Sequence, residues 1–195
     1  MNTTSPNQAL SLKHCAMVIA TLLGSMWAIE IFDFVAISGG LEHLGIRPRT
    51  QSGLWGIFRA PFLHGGWWHL FANSIPFAVL GFLVLLRGVP DFIGATLIIV
   101  VLGGIGVWLF GSSRSVHVGA SGLIFGYFGF LVVIGILERS FSAILTSILV
   151  ISLYGGILRG VLPSTSYISW EGHLFGLLAG AAAAKWLVKE KKGRE

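Results

Sequence analysis

The chain has 195 residues, of which 54% are hydrophobic and only 11% charged. Soluble domains carry about 25% charged residues, so the composition excludes an ordinary soluble domain and fits a polytopic membrane protein. The net charge of +5 does not read as a nucleic-acid surface, because Lys185, Lys189, Lys191, Lys192 and Arg194 crowd the C-terminus directly after an apolar run, the pattern of a cytoplasmic membrane flank. The single cysteine, Cys15, excludes an internal disulfide framework and a cysteine-built metal site.

Residues 1–12 are polar and read as a flexible N-terminal segment; residues 13–188 read as one all-α membrane domain of six spanning helices, and 189–195 as a basic tail. The first span is expected over 13–37, with Glu30 and Asp33 near its far end either packed against neighbouring helices or, the favoured reading, at the membrane interface. It is long and has no small-x-small cleavage site, so it reads as a span and not as a cleaved leader. Residues 38–67 mix Arg47, Pro48, Arg49, Gln51 and Ser52 with Leu54, Trp55, Ile57, Phe58, Phe62 and Leu63. This is too polar to span and too apolar to float free, and predicts a structured loop with short amphipathic pieces at the interface. Further spans are expected over 67–86, 92–110, 119–137, 141–158 and 171–188, with a loop over 159–170 that holds Pro163 and several hydroxyl residues.

Six spans place both termini on one side of the membrane. Lys13 and the basic C-terminus put that side in the cytoplasm, so that of 13 basic residues eight fall inside and five outside. Spans two, four and six then begin at the outer face. Polar residues early in these three helices share one depth, in the outer third of the bilayer core.

Those residues form a chemical set. Span two opens His64-Gly65-Gly66-Trp67-Trp68-His69-Leu70-Phe71-Ala72-Asn73, and His69 and Asn73 at i, i+4 project from one helix face. Span four opens Gly119-Ala120-Ser121-Gly122, and span six opens Trp170-Glu171-Gly172-His173. A serine hydroxyl is a weak nucleophile that needs an adjacent base, and His173 is the natural base because imidazole titrates near working pH. The tetrahedral intermediate of acyl transfer needs donors for its oxyanion. The Ser121 amide at a helix N-terminus, the Asn73 amide and the His69 imidazole can supply them. Gly122, Gly126 and Gly129 on span four, with Gly176 and Gly180 on span six, make smooth stripes that predict close packing of these two helices. Taken singly, each residue also has an ordinary structural reading: Ser121 as a packing residue, His173 as a satisfied interhelical histidine, Asn73 as interhelical glue. Phe125, one turn below Ser121, is placed either to pack against the imidazole or simply to fill the core. No acidic residue is placed to orient His173, since Glu171 lies on another helix face; the set predicts a Ser–His dyad and not a triad. His64, His69, His117 and His173 form no zinc motif such as His-Glu-x-x-His, so neither a metal nor another cofactor is expected.

With these motifs in this order, the chain resembles the rhomboid intramembrane serine proteases. His64 with His69-Leu-Phe-Ala-Asn73, Gly119-Ala-Ser121-Gly122, and His173-Leu-Phe-Gly176-Leu-Leu-Ala-Gly180 match the family's second-, fourth- and sixth-helix motifs. The resemblance implies a six-helix rhomboid-like bundle that cleaves transmembrane segments of membrane proteins near the outer face. Ser121 would be nucleophile, His173 general base and acid, and His69 and Asn73 the oxyanion donors. The partners implied are transmembrane protein substrates and the lipid bilayer, with no nucleic acid; the location is a cell membrane, of a bacterial cytoplasmic type. Two positions depart from the family pattern. Phe125 stands where tyrosine is common, and Phe58-Arg59 where the first loop commonly has Trp-Arg, with Arg59 then expected to brace the loop. Two rival readings are a catalytically inactive rhomboid-like protein that binds membrane clients, and a small transporter or channel.

Overall fold

The computed structural model describes residues 11–163 and 169–193. The first ten residues of the expected flexible segment, residues 164–168 of the last loop and residues 194–195 of the basic tail lie outside the described residues.

Helix α1 (Leu12–Phe32) is capped by the Ser11 hydroxyl and runs on without a break as a wider π turn over Asp33–Ile37. It ends at Ser38 in the left-handed conformation. Glu30 and Asp33, expected at the interface, are instead buried among neighbouring elements. Asp33 is needed there: its Oδ1 accepts the Leu41 N–H at 3.1 Å and so starts the return of the chain into the first loop.

That loop folds back as a 3-10 turn over Leu41–Leu44, helix α2 (Gln51–Arg59) and a second 3-10 turn over Ala60–Phe62. Helix α2 is amphipathic in an inverted sense. Leu54, Trp55 and Phe58 point outward, while Gly53, Gly56 and Ile57 are buried. Its inner face must be small because Gly53 lies on the Arg47 backbone and Gly56 on the Gly45 backbone. Apolar residues facing outward and backbone packed inward suit a short helix lying in the membrane interface.

Helix α3 (Trp67–Leu85) begins at Gly66, whose φ of +107° is readily open only to glycine. Trp27 of α1 donates its indole N–H to the Ser74 hydroxyl of α3 at 3.1 Å. The third span starts at Val89, three residues earlier than expected, because Pro90 sits in the first turn, where its missing N–H costs nothing. It comprises α4 (Val89–Ile98), a π turn over Ile99–Gly103 and α5 (Gly104–Phe110).

Helix α6 (Ser121–Glu138) is central and buried on nearly all sides. Tyr127 is its best-covered large side chain; the ring lies between Phe77 and Phe92, and its hydroxyl meets Thr96 Oγ1 at 2.7 Å, so the buried polar tip is satisfied. Helix α7 (Phe141–Tyr154), continued as a 3-10 turn over Gly155–Val161, leans on α6 and leaves most of its apolar side chains exposed. Helix α8 (Trp170–Lys192) fills the groove beside α6. Among the described residues, five helical stretches are long and apolar enough to cross a membrane. Helix α8 has 23 residues and enough length to cross at about 1.5 Å per residue, but is less apolar.

Helices α6 and α8 meet on glycine. A Cβ on Gly176 would overlap the Gly122 carbonyl oxygen, one on Gly180 would overlap the Gly126 carbonyl oxygen, and one on Gly129 would fall 2.6 Å from the Leu177 oxygen. The α6 stripe is divided, however: the Cα hydrogens of Gly126 face Ile99 of the π turn, so this glycine admits a third element as well. At the opposite end of the bundle from Ser121, Arg87 pairs with Glu138 at 2.5 Å and with Asp91 at 3.4 Å, and Lys191 pairs with Asp91 at 2.8 Å. This cluster ties the α3–α4 turn to the ends of α6 and α8.

Candidate functional site

Ser121 is the first residue of α6 and follows a strap, residues 116–120, that is anchored residue by residue. His117 exchanges both backbone hydrogen bonds with Ile46 of the first loop, at 2.9 and 3.0 Å. The Gly119 N–H donates to the Ala60 carbonyl at 2.8 Å. The Ala120 N–H donates to His64 Nε2 at 3.3 Å. Gly119 has φ of +110° and no room for a side chain, since a Cβ there would lie 2.7 Å from His69 Nε2 and 3.4 Å from Asn73 Nδ2. The strap thus delivers Ser121 to the N-terminal end of α6, where the first-turn N–H groups have no intrahelical partner. No side chain caps this helix.

The residues expected to act together come from three helices. His69 Nδ1 accepts the Gly65 N–H at 3.3 Å, which assigns the ring proton to Nε2, the nitrogen that faces Gly119. Asn73 is buried one turn further on, and its Nδ2 is a buried donor with no hydrogen-bond partner among the described residues. On α8, His173 is buried and its Nδ1 lies 2.9 Å from the Gly160 carbonyl oxygen. That contact makes Nδ1 the protonated nitrogen and leaves Nε2 as a base. The Phe125 ring stacks on the imidazole at 4.1 Å between centroids and 7° between planes. Ser121 borders, together with Ser169, Gly172 and Gly176 at the start of α8, one cavity of about 60 Å³, which also reaches Gly103 and Gly104 at the end of the π turn.

Several of these contacts were not foreseen from the sequence. Gly160 is one: a Cβ there would lie 2.9 Å from His173 Nδ1 and 3.0 Å from Phe125, so glycine lets the backbone carbonyl reach the ring. The loop expectation for Arg59 is corrected. Arg59 is exposed and makes no hydrogen bond or ion pair among the described residues. Arg49 braces the loop instead, donating to the carbonyls of Leu109 at 2.8 Å and Gly111 at 2.9 Å, and to the Ser113 hydroxyl. These are carbonyls at the C-terminal end of α5, which a guanidinium fork suits. Gly111, one of them, is also packed against His117.

The four histidines do not converge on one point. His64 and His69 rings lie edge to face at 5.2 Å, His117 turns to Ser169 and His173 to Gly160. Burial pushes the His64 imidazole down to about 4, and the neighbouring His69 adds to this, against a smaller opposing pull from the Phe62 carbonyl. His64 is therefore neutral near pH 7, as its acceptor role toward Ala120 requires. Burial also lowers His117, opposed by the Glu171 carboxylate and the Ser112 backbone.

A family model described as the Rhomboid domain matches residues 51–190. The chain belongs to the rhomboid family. Rhomboids are generally intramembrane serine proteases, with some inactive members. The matched residues run from the start of α2 to near the end of α8 and include His64, His69, Asn73, Ser121, Gly160 and His173, while Ile46 and Arg49 lie just before them. Uncharacterized proteins of Mycobacterium tuberculosis and Mycobacterium bovis are 45% identical over 186 residues, covering 90% of this chain and 77% of theirs. An uncharacterized protein of Mycobacterium leprae is 38% identical over 200 residues, covering 98% of this chain and 79% of its own. This rhomboid is a multi-pass membrane protein whose described residues form an α-helical bundle.

Proposed function

We propose that the protein is an intramembrane serine endopeptidase in which Ser121 and His173 form the catalytic dyad. The observation that carries the reading is the Asn73 amide, buried with no hydrogen-bond partner among the described residues and lying next to Gly119 beside His69 Nε2. A buried unpaired donor costs about 1–3 kcal/mol, and an oxyanion at Ser121 would satisfy it.

In this reading the substrate segment enters sideways from lipid and unwinds at the outer end of the bundle. Ser121 Oγ attacks the scissile carbonyl carbon while His173 Nε2 takes its proton. The oxyanion accepts hydrogen bonds from His69 Nε2–H, the Asn73 amide and the Ser121 backbone N–H. Collapse breaks the C–N bond, and the departing amine takes the proton from His173. Water then attacks the acyl-enzyme with His173 again as base and frees the Ser121 hydroxyl. The Gly160 carbonyl holds the imidazole tautomer through the cycle, a task that needs no carboxylate. Substrates are transmembrane proteins, and the bilayer is a bacterial cytoplasmic membrane with both chain termini inside, as the Lys189, Lys191 and Lys192 cluster favours.

The test is cleavage of a single-span reporter substrate by purified protein in proteoliposomes, with fluorophosphonate labelling in parallel. Cleavage and labelling that vanish in Ser121→Ala, and cleavage that vanishes in His173→Ala, are expected. A wild-type protein that neither cleaves nor labels would place it with the client-binding members of the family.

A further inference from the structure

His117 lines the cavity beside Ser121 and has no part in this chemistry. Its backbone is fixed to Ile46, and its ring is buried. Ring Nδ1 lies 2.6 Å from Ser169 Oγ. Ser169 is the N-cap of α8: its hydroxyl accepts the Gly172 N–H at 3.0 Å, and its carbonyl accepts the His173 N–H at 3.2 Å. The ring contact holds in either imidazole tautomer, because a serine hydroxyl both donates and accepts. Beside it, the buried Glu171 accepts the Ser112 N–H at 3.2 Å, a second tie between the first turn of α8 and the linker that leads to the strap.

Other anchors of the strap do not reach α8. Ile46, Ala60 and His64 hold it to the first loop and to the approach to α3. The Gly122–Gly176 contact sets how closely α6 and α8 approach one turn beyond His173. A small displacement of the first turn of α8 would still move His173 relative to Ser121. The His117–Ser169 bond opposes this motion, since it joins a residue four before Ser121 to one four before His173.

We propose that His117 is a positioning residue that sets the register of Ser121 against His173 by holding the N-cap of α8. The inference rests on the protease reading and fails separately from it. The experiment starts with wild type and Ser121→Ala; absence of Ser121-dependent cleavage there means that the protease reading itself has failed, and the proposal falls with it. With cleavage present, four variants are compared at a temperature well below their unfolding midpoints. His117→Phe keeps the ring volume and loses the bond. His117→Asn places an amide near the Nδ1 position. Ser169→Gly removes the same bond from the other side and retains a tolerated N-cap residue. The fourth combines His117→Phe with Ser169→Gly.

Expected is a fall in kcat of about tenfold or more in His117→Phe and in Ser169→Gly, with KM within about twofold, since misplacement of reacting groups by about 1 Å can cost about a hundredfold. His117→Asn recovers most of the loss, and the double variant is no worse than the weaker single one, as for two halves of one bond. Overturning results are a kcat within about threefold of wild type in Ser169→Gly, losses that multiply in the double variant, or no recovery in His117→Asn. If His117→Phe does not fold, Ser169→Gly and His117→Asn decide alone.

Discussion

Gly176→Ala tests the contact on which the site depends. The added methyl would overlap the Gly122 carbonyl oxygen and lie 3.0 Å from the Gly122 carbonyl carbon and 3.1 Å from its Cα. Carbon atoms in good contact sit about 3.5–4.0 Å apart, so α6 and α8 must separate by roughly 0.5–1 Å. The opposing atoms are backbone at the first turn of a buried helix, so no side chain can rotate away. Overpacking of this kind costs typically about 1–3 kcal/mol. The larger effect is on catalysis. Gly176 is one turn from His173 and Gly122 is next to Ser121, so the whole separation is transmitted to the proposed dyad, and about a hundredfold loss of kcat is expected. The assay is reporter cleavage in proteoliposomes with the unfolding midpoint measured on the same preparation. Gly24→Ala is the control, because a Cβ there would meet nothing within 4 Å. A Gly176→Ala enzyme with kcat and midpoint both close to wild type would refute the argument that this glycine sets the distance between nucleophile and base.

Three further outcomes follow from other parts of the fold. Gly160→Ala puts a methyl 2.9 Å from His173 Nδ1 and is expected to lower kcat with little change in KM or in unfolding midpoint; an unchanged kcat would show that the Gly160 carbonyl does not orient the base. Asp91→Asn strips the charge shared by Arg87 and Lys191 at the far end of the bundle. Breaking a fully buried pair costs about 3–5 kcal/mol, and the half-exposed lysine places this one below that range; the expected result is a lower unfolding midpoint with unaltered kcat, and reduced kcat at full stability would contradict it. His64, held at about 4 against an ordinary 6.5, binds its proton more readily unfolded than folded. Its contribution therefore does not vary above about pH 6.5, and stability is lost as pH falls from there toward 4, by on the order of 3 kcal/mol in all. His64→Gln keeps an acceptor for Ala120 and should flatten that part of the stability curve; an identical acid slope in wild type and variant would rule His64 out as its source.

The amino-acid sequence by itself determined the solvent, the helices and the helix starts on which the polar residues sit. Long apolar runs broken by Arg87-Gly88 and Glu138-Arg139 can satisfy their backbone in lipid only as helices, and the glycine spacing on α6 and α8 is a surface property readable without coordinates. What it could not determine is where backbone carbonyls and irregular segments come to rest, because these depend on packing across dozens of residues. Glu30 and Asp33 looked interfacial, yet the chain reversal after α1 needs a buried carboxylate to hold Leu41. Arg59 stood at the expected place for a bracing arginine, yet Arg49 reaches the end of α5, since its left-handed backbone turns it toward those carbonyls. Nothing local marks Gly160 as the partner of His173, or Ser169 as the partner of His117. Both pairings arise when α8 settles against α6 on glycine, which brings Ser169 to His117 and His173 to the Gly160 carbonyl.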